Sequence, residues 1–434
     1  MTPDTGTGPG PGPGPGPDIG AGVLPEDPGV KRRRVRLLVT LVLAGTVAAI
    51  VYHYIAGFYL GLGYPRSTFL FIPSDHFSDW TNSYRYAQAY LRGGPAPLIY
   101  FPFAFLSMVA ATRLPTGVGS ALIVALFLAI LVVVLRGWVF DREKYVLTKI
   151  QYGIVLVALS YPVMFALDRT NLEIVLFVFV AGFFYFLYVR ESPWLAALCL
   201  AAAIAFKLYP ATLLLLLLAE RRFKPFVLSV VFAVGLTVIG VVALAALGHH
   251  SLMEVWRMTM SEKGVFQQNM VVGGEGLQHG HTLWGLLRLP GLLGHAALQG
   301  WQMTLYDVAV AAIFLALAYH VVFRETERWK RVLLATVAAL LLPFVSADYT
   351  LIQLYFPLVF FLNSPRVSRW DTAYVALFAV LLVPVDYYYF TSRHDGVSIS
   401  VIVYPIALLL LAWLSISDRQ RSAKKVGGES FGAA

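Results

Sequence analysis

Ser74-Asp75-His76-Phe77-Ser78-Asp79-Trp80-Thr81-Asn82-Ser83-Tyr84-Arg85-Tyr86 is a polar, doubly acidic run in a chain that is otherwise mostly apolar. It follows directly on the first hydrophobic segment. After Asp79, the residues Trp80, Tyr84, Ala87 and Leu91 recur at helical spacing, with Arg85, Gln88 and Arg92 on the other side. This is the pattern of an amphipathic helix lying on a surface, and Gly93-Gly94-Pro95 stops it. Asp79 therefore falls in the first turn, where the helix dipole favours a negative charge. An aspartate in that position can also cap the helix and do nothing more. The rest of the chain argues against so plain a role.

Of the 434 residues, 58% are hydrophobic and only 13% are charged, and the mean hydropathy is +0.71. That balance excludes a soluble globular domain and makes the chain an all-α polytopic membrane protein. The net charge of +9 reads as basic loops on one membrane face rather than as a nucleic-acid surface. A lone cysteine, Cys199, lies in an apolar segment, so there is no disulfide framework and no cysteine-based metal site. Residues 1–30 are rich in Pro and Gly and are expected to form a disordered tail. Lys31-Arg32-Arg33-Arg34-Val35-Arg36 leads into an apolar run through Leu60, which reads as an uncleaved first span.

Segments of spanning length fall at 36–60, 117–136, 147–167, 172–190, 225–247, 304–323, 371–390 and 397–416, each close to the ~20 residues a bilayer crossing requires. Residues 98–112 are apolar but short. Residues 193–219 are interrupted by Lys207-Leu208-Tyr209-Pro210, and 332–362 by Pro343 and Ser346-Ala347-Asp348. Positive charge decides the topology. With 98–112 held outside and the two interrupted regions drawn as hairpins, 23 of the 33 Lys and Arg lie inside. If 98–112 crossed, only 12 of the 33 would. The expectation is eight spans and two broken hairpins, about 12 helical segments. Both termini are cytoplasmic, the external loops are 61–116 and 248–303, and a cytoplasmic tail covers 419–434.

This topology places one polar set on the external side: Asp75, His76, Asp79 and Arg85, then Asp168-Arg169-Thr170-Asn171, Lys207, His279, His281 and Asp348-Tyr349. Ionisable groups at membrane depth are costly to bury and mark function. Lys207 could equally snorkel to the interface, and Asp348 could cap the helix after it. His279 and His281 lack a third ligand at metal-site spacing, so no metal and no cofactor is expected. Carboxylates ringed by cations suit a reaction whose leaving group is an anionic lipid. One carboxylate would take a proton from an attacking hydroxyl, and the cations would stabilise developing phosphate charge.

These stretches resemble the GT-C membrane glycosyltransferases, whose first external loop carries two membrane-surface helices before the next span. Within that group the chain is similar to glycosyltransferase family 87, the polyprenyl-phosphomannose-dependent type. The resemblance is carried by Tyr161-Pro162 with Asp168-Arg169-Thr170-Asn171, by Ala205-Phe206-Lys207-Leu208-Tyr209-Pro210, and by Ser346-Ala347-Asp348-Tyr349-Thr350-Leu351. It departs from the family at Asp168-Arg169-Thr170-Asn171, where members have Gly-Gln-x-Asn. The resemblance implies an inverting transfer of a hexose, mannose above all, from a polyprenyl monophosphate donor to an acceptor hydroxyl on a glycolipid or glycan. The transfer would take place at the external face of the cell membrane. Asp79 corresponds to the family's catalytic base, with Asp75 as the fallback. Lys207, Arg169, His279, His281, Asn171, Asp348, Tyr349, His76 and Arg85 become the expected donor-phosphate and substrate contacts. A transporter or lipid-linked glycan flippase is the alternative, since broken hairpins with charged tips serve transport too. Two halves of matching hydropathy would favour it, and this chain's two large loops differ.

Overall fold

The computed structural model describes residues 28–94, 97–138, 146–294, 296, 298–390 and 396–429. The expected N-terminal tail lies outside them except for its last three residues. Within the described residues the chain is helical, and its only β features are two isolated bridges, Gly280 with Ala347 and Tyr389 with Ser398.

Helix α1 (Pro28–Tyr54) runs on through a wide turn to Tyr59. The first loop then forms α2 (Ser78–Leu91) and α3 (Pro102–Ala111) before α4 (Thr116–Trp138). The expected straight span at 147–167 is instead α5 (Val146–Gly153), a wide turn, and α6 (Tyr161–Arg169), bent by 55°. Pro162 stands in the first turn of α6, where a proline starts a helix but cannot continue one. Helix α7 (Glu173–Tyr188) follows.

Both hairpins break where the sequence placed the interruption. Helix α8 (Pro193–Phe206) ends at an extended Lys207, and a 3-10 turn at Tyr209–Leu213 leads into α9 (Leu214–Ala219). Next come α10 (Phe223–Gly248), α11 (Leu252–Phe266), α12 (Leu283–Leu293) and α13 (Gly300–Tyr319). The second hairpin is α14 (Arg328–Leu341), a 3-10 segment at Asp348–Leu354, and α15 (Tyr355–Leu362). Helix α16 (Asp371–Leu382) stops eight residues short of the expected 390, because Pro384 follows. Helix α17 (Ser400–Glu429) carries on through most of the expected C-terminal tail.

Among the described residues, five helices are long and apolar enough to cross a bilayer, or six if the bent pair is one span. The other apolar helices are shorter, so the expected eight spans with two broken hairpins, about 12 helical segments, are not reproduced in number. This is a helical membrane protein. Helices α10 and α13 turn many apolar side chains outward, including Val231, Val234, Leu305 and Leu315, as lipid-facing helices do. The broken limbs pack inward: α8 lies between α7 and α10, and α14 between α15 and α17. Buried in this way, broken backbone is tolerated.

The loop helix α2 has the predicted stripe, with Trp80, Tyr84 and Ala87 buried. The stripe is covered by protein, against the expectation of a helix lying apolar-side down on a surface. Trp80 Nε1 donates to Thr116 O at 3.0 Å, Tyr84 OH to Leu114 O at 2.8 Å and Tyr90 OH to Leu244 O at 2.7 Å. Helix α3 seats on α10 at Gly240, where an added Cβ would lie 2.7 Å from Phe103 N.

Two ends of the bundle differ in chemistry. At one, the starts of α1, α14 and α16 meet the chain around Asn363 and Asp418. Arg34 binds Asp371 at 2.7 Å, Lys330 binds Asp418 at 3.0 Å, Arg366 binds Glu327 at 3.1 Å, and Lys31 donates to Asn363 at 2.6 Å. Basic segments assigned to one membrane face on charge alone therefore come together in space. At the other end lie the loop before α2, the bend after α6 and both hairpin tips.

Candidate active site

The site begins with two strained residues. Phe77, just ahead of α2, has φ 60°, and Thr170, just after α6, has φ 45°. Left-handed backbone is costly for a branched residue, of order 1–3 kcal/mol. Thr170 is held there by its own Oγ1, which donates to Leu167 O at 3.0 Å. The two turns are joined, since Phe77 N donates to Asp168 O at 2.7 Å.

The sharp reversal at Thr170 aims Arg169 and Asn171, two residues apart, at one carboxylate. Arg169 donates to Asp79 Oδ1, and Asn171 Nδ2 donates to Asp79 Oδ2 at 2.6 Å. Asp79 is in the first turn of α2, after the N-cap residue Phe77, and its carboxylate oxygens are bonded to Arg169 and Asn171 rather than to the helix backbone. Its side chain is 17% exposed, against 51% for Asp75, which meets Arg169 at a longer 3.5 Å. The Arg169 guanidinium also lies over the Phe71 ring, 3.9 Å from its centroid. His76 Nδ1 pairs with Asp168, whose second oxygen accepts from Phe71 N at 3.3 Å.

Lys207, at the first hairpin tip, has an anionic partner from within the chain. Its Nζ is 2.8 Å from Glu173 Oε2 and 3.4 Å from Asn171 Oδ1, and it lies 5.3 Å over the Tyr349 ring. Tyr349 in turn stacks on Phe165. The fully buried Glu173 also accepts from Tyr209 OH and from Gln353 Nε2 at 2.7 Å.

His279 and His281 behave differently from each other. His281 is fully engaged: Nδ1 is 3.0 Å from Asp348 Oδ1 and Nε2 is 3.3 Å from Thr350 Oγ1. Asp348 follows the N-cap residue Ala347, and its carboxylate accepts from Tyr161 OH at 3.2 Å. His279 sits between the rings of Phe71 and Phe165, at 4.5 and 5.0 Å, and neither of its ring nitrogens has a partner. Burial pushes both imidazoles down to about 3, and for His279 the Arg169 cation adds to the effect. Both are therefore neutral at physiological pH and offer hydrogen bonds rather than charge. The backbone fixes His279 against the second hairpin: Asp348 N donates to His279 O at 2.9 Å and His281 N to Ser346 O at 3.2 Å.

Of the residues singled out from sequence, Asp75, Asp79, Arg169, Asn171, Lys207 and Tyr349 form one contiguous cluster. Asp348 and His281 support it from behind, and His279 and His76 flank it. Arg85 is exposed on α2 and takes no part in the contacts that build it. Sequence reasoning missed Glu173, Phe71 and Phe165, and also Tyr100, which lies within electrostatic reach of Asp79 and Lys207. Glu173 carried a readable signal, an acidic residue opening an apolar segment, where a carboxylate is costly.

The pattern of glycosyltransferase family 87 matches residues 98–347. That is more than half of the chain, including Arg169, Asn171, Glu173, Lys207, His279 and His281 but beginning after Asp79. No curated protein and no solved structure matches the chain. An all-helical membrane bundle whose broken hairpins close on a buried acid–base cluster agrees with that match in layout and chemistry: the chain belongs to glycosyltransferase family 87 and is a membrane glycosyltransferase.

Proposed function

We propose that the chain transfers a hexose, mannose by its resemblance, from a polyprenyl monophosphate carrier to an acceptor hydroxyl. The reaction takes place at the external face of the cell membrane and inverts the anomeric centre. The observation that carries the reading is the Asp79 carboxylate, paired with Arg169 and aimed by Asn171 within a part-buried, aromatic-lined cluster. Asp79 takes the proton of the acceptor hydroxyl as its oxygen attacks the anomeric carbon. The bond from that carbon to the phosphate oxygen breaks, and its electron pair leaves with the carrier phosphate. Phosphate is a good leaving group, so no general acid is required.

Arg169 stabilises the phosphate charge as it develops. Lys207, already neutralised by Glu173, lends its remaining donors. The two free nitrogens of His279 bind sugar or phosphate oxygens without adding charge. His76, half-exposed beside Asp75, meets the acceptor. Asp348 and His281 hold His279 in place, and Tyr349 walls the site.

Asp79→Asn keeps the size of the side chain and removes its basicity, and loss of a general base typically costs about 10²–10⁴-fold in rate. Purified Asp79→Asn and Asp75→Asn, matched for thermal stability, are assayed with radiolabelled polyprenyl phosphate sugars. Asp79→Asn is expected to be nearly inactive and Asp75→Asn impaired. Full activity in Asp79→Asn beside an inactive Asp75→Asn moves the base to Asp75, and full activity in both refutes the mechanism.

A further inference from the structure

Glu173 is wholly buried, two residues beyond Asn171, and touches neither Asp79 nor the opening of the site. Three donors from three parts of the fold converge on it: Lys207 after α8, Tyr209 in the turn that follows, and Gln353 in the second hairpin tip. A carboxylate placed so deep is costly unless all its neighbours are donors, as they are here. What this arrangement fixes is Asn171. The Asn171 carboxamide oxygen accepts from Glu173 N at 2.9 Å and faces Lys207 Nζ at 3.4 Å. With its oxygen held between two donors, its amide nitrogen is left to point at Asp79, 2.6 Å away. Lys207 lies within electrostatic reach of Asp79, and among the described residues its ion pair is with Glu173 at 2.8 Å. Without Glu173, its four-carbon stem would let the ammonium turn to Asp79 and displace the Asn171 amide.

We propose that Glu173 is a positioning residue for the catalytic base: it anchors Lys207 away from Asp79 and thereby sets the orientation of Asn171 that aims the Asp79 carboxylate. The inference rests on the reading of Asp79 as the base. It assigns Glu173 no contact with donor or acceptor, and its signature is a loss in kcat that exceeds any rise in donor KM caused through Lys207.

The test is sugar-transfer kinetics on Glu173→Gln, Glu173→Asp, Asn171→Ala and the double variant Glu173→Gln/Asn171→Ala, with Asp79→Asn as control. Glu173→Gln should lower kcat by about 10- to 100-fold, the lower part of the range for misplaced acid–base groups, with any rise in donor KM smaller than that loss. Glu173→Asp, which keeps the charge, should recover most of that loss. Because Glu173 acts through Asn171, the double variant should be no slower than the slower single variant. Losses that multiply, a loss confined to donor KM, or full activity in Glu173→Gln would each overturn the proposal. If Glu173→Gln does not fold, Tyr209→Phe removes one hydrogen bond from Glu173 without changing charge. It should lower kcat in the wild-type background and not in Asn171→Ala; equal losses in both backgrounds overturn the proposal. Activity retained in Asp79→Asn refutes the base itself, whereas an inactive Asp79→Asn beside an unaffected Glu173→Gln refutes only the role of Glu173.

Discussion

Acid should loosen this fold through its two buried imidazoles, by an amount that can be worked out. An unfolded histidine titrates near 6.5, while His279 and His281 are pushed by burial to about 3. A depressed folded value means that the stabilising contribution is complete above about 6.5 and is lost as pH falls toward 3. At pH 5.0 the unfolded chain gains roughly 2 kcal/mol per imidazole by binding a proton that the folded chain refuses. Together the two histidines should cost about 4 kcal/mol of stability between pH 7.5 and 5.0. Reversible unfolding in mixed micelles at both pH values measures the loss. Carboxylates away from the substituted histidine titrate alike in every variant, and His279, which has no carboxylate partner as His281 has in Asp348, gives the cleaner difference. His279→Gln and His281→Gln should each shrink the pH-dependent loss by about 2 kcal/mol, and the double variant by about twice that. An unchanged loss in His279→Gln would show that this imidazole is solvated, and its placement between Phe71 and Phe165 would be wrong.

Arg169→Lys keeps a cation but loses the fork that spans Asp75 and Asp79. Transfer kinetics should show a fall of about tenfold or more, because a single ammonium cannot match that geometry. Gly240→Ala would drive a methyl group into the backbone of Phe103 and Pro102, and thermal unfolding should report about 1–3 kcal/mol of destabilisation from overpacking. Cysteines introduced at Ser74 and Ser251 should react with a membrane-impermeant maleimide in intact cells, and one at Thr326 should not. Labelling at Thr326 but not at Ser251 would place 98–112 across the membrane.

The helices were legible wherever apolar length or a proline marked them. Lys207 and Ser346-Ala347-Asp348 break their hairpins because Pro210 and Pro343 stand beside them. Asp79 was legible from its place at the head of an amphipathic helix. What sequence could not convey was partnership across distance. The stripe of Trp80, Tyr84 and Ala87 reads the same whether lipid or protein covers it, and here α3, α4 and α10 do. Nor could spacing say that His281 is consumed by Asp348 while His279, two residues away, keeps both nitrogens free. The bend at Ser160 was missed because a run of apolar residues conceals a wide turn, and Pro162 alone is compatible with a helix start.

The backbone bonds from Asp348 to His279 and from His281 to Ser346, together with the bridge of Gly280 to Ala347, bear on how the chain can vary. They clasp a loop to a hairpin tip residue against residue, so a single insertion or deletion between Gly276 and His281 would rotate His279 out from between its two phenylalanine rings. Among the described residues after α12, Ala296 bonds back to Gly291 and Arg288 of that same helix rather than to a hairpin tip, so this stretch should tolerate changes in length better. Natural variation in this loop should therefore be lopsided: fixed in length before Thr282, elastic beyond Leu293.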